Sequence, residues 1–116
     1  MDRTKPTTQM LGRFQPWHKG HTELFKVALS KTSQVAILLR EQDGSEKNPF
    51  SFEERCKMID NALKDYKGKY EIISVPNITH ITYGRDVGYT IQQEKLSKEI
   101  EDISATDIRN KHSIWW

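Results

Sequence analysis

Cysteine is nearly missing from this chain. Cys56 stands alone, so no internal disulfide can form, and with neither a C-x-x-C pair nor an H-E-x-x-H string the usual ligand sets for zinc are absent as well. Cys56 falls in a helical apolar pattern and reads as core. Long apolar runs are also lacking: none approaches the roughly 20 residues that span a bilayer. The polar start Met1-Asp2-Arg3-Thr4-Lys5-Pro6 has no signal-peptide character, so a cytoplasmic protein with no membrane partner is expected. Neither sign of charge dominates. Eighteen Lys and Arg face 16 Asp and Glu, which is too little concentrated positive charge for nonspecific nucleic-acid binding, and no nucleic-acid partner is expected. No repeat, low-complexity tract or linker composition divides the 116 residues, which predicts one domain over 1–116.

What is present is an alternation of short strand and helix patterns, the order that folds as a parallel sheet flanked by helices. Residues 7–11 are placed as a first strand because a glycine turn and a helical segment follow. From 20 to 30, Leu24, Phe25, Ala28 and Leu29 share one helical face. Val35-Ala36-Ile37-Leu38-Leu39 is an uninterrupted apolar run suited to a central strand covered on both faces. Ser51 followed three residues later by Glu54 matches a capping box, and Phe52, Cys56, Ile59 and Leu63 continue as a buried stripe. Lys67-Gly68-Lys69 closes that helix, 70–75 reads as a third strand left at Pro76-Asn77, 78–83 as a fourth, and 89–92 as a short extended piece. The terminal Ile114-Trp115-Trp116 suits either a contact between subunits of a homo-oligomer or burial against its own domain.

The chemistry concentrates between the first strand and first helix, where Gly12 precedes His18 and His21 and Gly20 stands between them. In an open α/β sheet ligands bind at this strand edge, and a helix N-terminus offers unpaired N–H groups to phosphate. Two imidazoles beside a tight glycine turn can donate to phosphoryl oxygens, while glycine lets phosphate or base come close to the backbone.

The whole string Gly12-Arg13-Phe14-Gln15-Pro16-Trp17-His18-Lys19-Gly20-His21 resembles the signature of the HxGH nucleotidyltransferase superfamily, which includes adenylyltransferases and cytidylyltransferases. A second segment, Ile103-Ser104-Ala105-Thr106-Asp107-Ile108-Arg109, is similar to that superfamily's late I-S-x-T-x-I-R motif. Weaker likenesses lie between them: Asn48-Pro49-Phe50-Ser51-Phe52-Glu53-Glu54-Arg55 and Gly84-Arg85-Asp86.

The resemblance implies a Rossmann-like, doubly wound parallel sheet of about four to five strands with flanking helices. It implies in-line attack by an acceptor phosphate on the α-phosphorus of a nucleoside triphosphate, with pyrophosphate leaving and Mg²⁺ bridging triphosphate oxygens. His18, His21 and Arg109 would carry the catalytic contacts. Gly12, Arg13, Phe14, Gln15, Gly20, Arg85, Asp86, Ser104, Ala105 and Thr106 would hold the nucleotide. Lys47, Arg55 and Trp17 would face a small phosphorylated acceptor, Trp17 either stacking on an acceptor ring or packing. Arg-Phe-Gln-Pro in the first motif favours ATP over CTP, since cytidylyltransferases more often read Gly-Thr-Phe-Asp there. A nucleotide-binding sensor or subunit without turnover is the alternative from another class.

Overall fold

The computed structural model describes residues 1–41, 48–85 and 88–94. Strand β1 (Thr8–Gly12) leads through a loop into helix α1 (Lys19–Thr32), then to β2 (Val35–Arg40), helix α2 (Phe52–Ala62), a 3₁₀ turn at Lys64–Tyr66 and β3 (Tyr70–Val75). The three strands form one parallel sheet in the order β1-β2-β3. Thr8 lies beside Val35, which lies beside Tyr70, and at the other end Gly12, Leu39 and Ser74 stand in one row.

Alternation along β2 explains the core. Val35, Ile37 and Leu39 are fully buried with Met10, Phe25, Ala28, Ile59 and Leu63, so both helices cover the same face of the sheet. Phe25 of α1 meets Tyr66 and Tyr70 edge-on at ring separations of 5.3 and 5.9 Å, which closes the space between α1 and the α2 side. Ala36 and Leu38 point to the other face and stay half-buried. The expectation of a strand covered on both faces is therefore met on one face among the described residues.

Local signals hold the ends. Ser51 Oγ accepts the N–H of Glu54 at 3.1 Å and the Glu54 carboxylate accepts the N–H of Ser51 at 3.3 Å, the reciprocal cap that the sequence spacing predicts. Ser33 ends α1 in the left-handed region, its N–H on the Leu29 carbonyl. Gln34, 7% exposed, ties the N-terminal residues to the sheet: its amide donates to the carbonyls of Asp2 and Lys5 and to Thr7 Oγ1, and it accepts the Asp2 N–H.

The parallel α/β, Rossmann-like arrangement agrees with the sequence reading, with three strands among the described residues where four to five were expected. Residues 78–83 form no ladder, nor do 89–92. Ile81, Tyr83, Tyr89 and Ile91 are more than half exposed, and an apolar β pattern becomes a parallel strand only where a neighbouring edge and a covering layer receive it. No helix among the described residues is long and apolar enough to cross a membrane.

Candidate active site

β1 delivers Gly12 to the C-terminal edge of the sheet, and the chain then turns sharply before α1. The turn is built around an aromatic ring. Phe14 has φ +50° and is 5% exposed, and its ring lies so near Gly12 that a Cβ there would stand 2.9 Å from Cζ. The space a side chain would need at Gly12 is thus filled by Phe14, not left open for a ligand, which corrects the simpler reading of this glycine.

Phe14 in turn seats the imidazoles. Its ring meets His21 edge-on at 4.8 Å and Trp17 at 5.0 Å, and Trp17 lies 5.3 Å from His21. Trp17 is 7% exposed and its indole N–H donates to Thr22 Oγ1 at 2.8 Å. Of its two readings, packing is therefore the one the geometry favours, because little of the ring is left for an acceptor to stack on.

His18 and His21 share one device. His18 is the N-cap of α1, and its Nδ1 accepts the Gly20 N–H at 2.8 Å; the Nδ1 of His21 reaches back to accept the His18 N–H at 3.1 Å. An imidazole that accepts through Nδ1 must carry its proton on Nε2 when neutral. Both rings, 3.9 Å apart, are thereby fixed as Nε2–H donors. Burial pushes His18 down to about 4, and burial with the neighbouring His18 charge pushes His21 down to about 2, so both are neutral at physiological pH.

Behind this turn lies a set of buried struts. Gln15, fully buried, clasps Phe50 from both sides, donating from Nε2 to its carbonyl and accepting its N–H at Oε1, each at 2.9 Å. Arg55 is 1% exposed and donates from one terminal nitrogen to the carbonyls of Arg13 and Arg40, both at 2.9 Å, and from Nε to the Ser51 carbonyl at 3.3 Å. Gln15 and Arg55, read from sequence as ligand contacts, are thus turned inward to main-chain partners. Arg13 is half-buried and donates to Asn48 Oδ1 at 3.3 Å, bringing Asn48, 8% exposed, to the site. Sequence reading did not single out Asn48 or the Phe50 backbone as partners of this turn, because nothing in local spacing links positions 35 residues apart. Gly20 is buried at the start of α1. Arg85 is exposed beyond β3. Lys47, Asp86, Ser104, Ala105, Thr106 and Arg109 lie outside the described residues, as does the terminal Ile114-Trp115-Trp116.

Residues 10–79, from β1 through β3, match the family described as cytidylyltransferase-like. The chain belongs to the cytidylyltransferase-like family. Among curated relatives, it is 35% identical over 72 residues to a nicotinamide-nucleotide adenylyltransferase of Pyrococcus abyssi, covering 59% of this chain and 39% of that protein. It is 39% identical over 72 residues to the enzyme of the same description from Saccharolobus solfataricus, covering 58% and 42%. The chain spans about two fifths of the length of these curated relatives. Among solved structures, a bifunctional NMN adenylyltransferase/ADP ribose pyrophosphatase from Francisella tularensis superposes with a TM-score of 0.53 at 32% identity, over 62% of this chain and 22% of that one. A structure of the Francisella tularensis protein complexed with AMP and a Mn ion superposes with a TM-score of 0.50. Within this cytidylyltransferase-like chain, then, the histidine pair, the glycine–phenylalanine turn and the struts all fall in the part that the family match covers.

Proposed function

We propose that this chain, acting as a single nucleotidyltransferase domain over 1–116, transfers AMP from ATP to nicotinamide mononucleotide and releases pyrophosphate. The observation that carries the proposal is the capping pair of His18 and His21, which fixes both rings as neutral Nε2–H donors at the N-terminus of α1, the helix that follows the C-terminal end of β1. The adenylyl and nicotinamide assignments are supported by the descriptions of the relatives.

The acceptor phosphate is already ionised, so no protein nucleophile and no strong base are needed. One of its oxygens bonds to the α-phosphorus of ATP while the bond from that phosphorus to the bridging oxygen breaks, and the electron pair leaves with pyrophosphate. Charge grows on the α-phosphoryl oxygens and on the leaving group. Fixed N–H donors aimed there stabilise the transition state at about 3 kcal/mol each, with no reorganisation during the reaction. A divalent cation such as magnesium would accompany the triphosphate and offset its charge. The roles that the motif resemblance assigns belong to this proposal: Arg13 and Arg109 would neutralise the triphosphate, Gly20, Ser104, Ala105 and Thr106 would donate to it, Arg85 and Asp86 would serve the nucleotide, and Lys47 the acceptor.

The test is an end-point assay of the purified chain with magnesium and either ATP or CTP, offered nicotinamide mononucleotide, pantetheine phosphate or a polyol phosphate. Pyrophosphate together with NAD, from ATP and nicotinamide mononucleotide only, is the expected result. Turnover with CTP alone would replace the donor. Tight ATP binding without pyrophosphate from any acceptor would make the chain a nucleotide-binding module.

A further inference from the structure

Arg55 occupies an unusual position for a charged side chain. It projects from the first turns of α2 into the protein, is 1% exposed, and directs its guanidinium at main-chain carbonyls from three segments: Arg13 in the turn after β1, Arg40 at the end of β2, and Ser51 at the cap of α2. A guanidinium so placed loses its hydration, and a methionine or leucine of similar volume would fill the space without that cost. What only the arginine supplies is direction: a rigid planar fork that sets the relative position of the groups it touches.

Its Arg13 contact falls on the peptide that joins Arg13 to Phe14, the residue at which the backbone enters the left-handed region. Phe14 then packs edge-on against His21, and His21 accepts the His18 N–H. A chain of contacts therefore runs from Arg55 through one peptide plane and one aromatic ring to the two imidazoles. The same guanidinium nitrogen holds Arg40, so the turn is referenced to the end of the central strand and not merely to its own loop.

We propose that Arg55 is a positioning residue of the transfer site, holding the Arg13–Phe14 peptide so that Phe14 seats the histidine pair with its Nε2–H donors aimed at the phosphates. This rests on the adenylyl-transfer reading above. A group that aims others affects the rate of the chemical step more than substrate affinity, and misplacement near 1 Å can cost about 100-fold.

The experiment compares the full chain with Arg55→Met, which packs without donating, and Arg55→Lys, whose Nζ ends short of the guanidinium nitrogen. Expected is a fall in kcat of about 100-fold for the methionine variant with KM for ATP essentially unchanged, and an intermediate kcat for the lysine variant. In the ligand-free proteins, ¹⁵N spectra of the imidazoles should show both wild-type rings protonated at Nε2, and His21 losing that single tautomer in the variants. A rise in KM with kcat unchanged would overturn the proposal in favour of a direct ligand contact. Wild-type kcat and imidazole spectra in a folded variant would overturn it too. Should the methionine variant not fold, the lysine variant gives the same two readouts, and full activity there is a refutation. If wild type makes no NAD, the transfer reading fails while the imidazole spectra still decide whether Arg55 orders the histidines.

Discussion

The Nδ1 of His21 accepts the backbone N–H of His18 at 3.1 Å, so the second histidine of the motif caps the first. Since His18 itself caps Gly20, the two imidazoles offered for chemistry are also the N-terminal cap of α1, and any substitution there acts on two properties at once.

Those properties separate with asparagine. His18→Asn keeps a favoured N-cap acceptor but removes the Nε2–H donor, so helix stability should be nearly unchanged while kcat falls by about 10²- to 10³-fold. His18→Ala should lose about 1 kcal/mol of stability in addition. Urea midpoints read beside steady-state rates check the pair; an asparagine variant that turns over at wild-type rate would remove His18 from the chemistry.

Gly12 and Phe14 should be energetically coupled. Gly12→Ala puts a Cβ at 2.9 Å from a ring that Trp17 and His21 hold from the other side, and the overpacking should cost about 1–3 kcal/mol. Adding Phe14→Leu relieves the clash, so the double variant should lose less than the sum of the single losses. Strict additivity in thermal unfolding would contradict the packing described.

Gln15→Leu leaves both main-chain groups of the half-buried Phe50 without their amide partners. Each loss carries a penalty of about 1–3 kcal/mol, so the variant should be among the least stable single substitutions in the turn. A denaturant midpoint within error of wild type would show the clasp to be dispensable.

Acid should weaken the fold through the histidines. Their native pKa values lie below the ordinary 6.5, so as pH falls under 6.5 the unfolded chain takes up protons that the native rings resist, and stability drops from there toward pH 4, where His18 protonates in place; His21 extends the loss lower. Above pH 6.5 the two rings contribute no slope. Urea unfolding between pH 7.5 and 4 should show this loss in wild type and a flatter profile in His18→Asn combined with His21→Gln; equal slopes would dissociate acid sensitivity from this pair.

Much of this was legible in the chain because it is local. The capping box at Ser51, the strand at 35–39 and the third strand at 70–75 are read from adjacent residues and reappear with nearly the same bounds. The apolar pattern at 78–83 misled for the opposite reason: whether such a segment becomes a strand depends on a neighbouring edge that the segment does not contain.

The amino-acid order alone determined the βαβαβ alternation and placed glycines and histidines at a strand-to-helix turn, since periodicity and turn chemistry act over a few residues. The tertiary structure decided what each member of that turn does: Phe14 fills the space at Gly12, Gln15 and Arg55 face inward, and the two Nδ1 atoms are consumed by backbone N–H groups, which leaves the proton of each neutral ring on Nε2. Those assignments depend on contacts between residues as far as 42 positions apart, and only the folded packing of β1, β2 and α2 brings such partners within hydrogen-bonding distance.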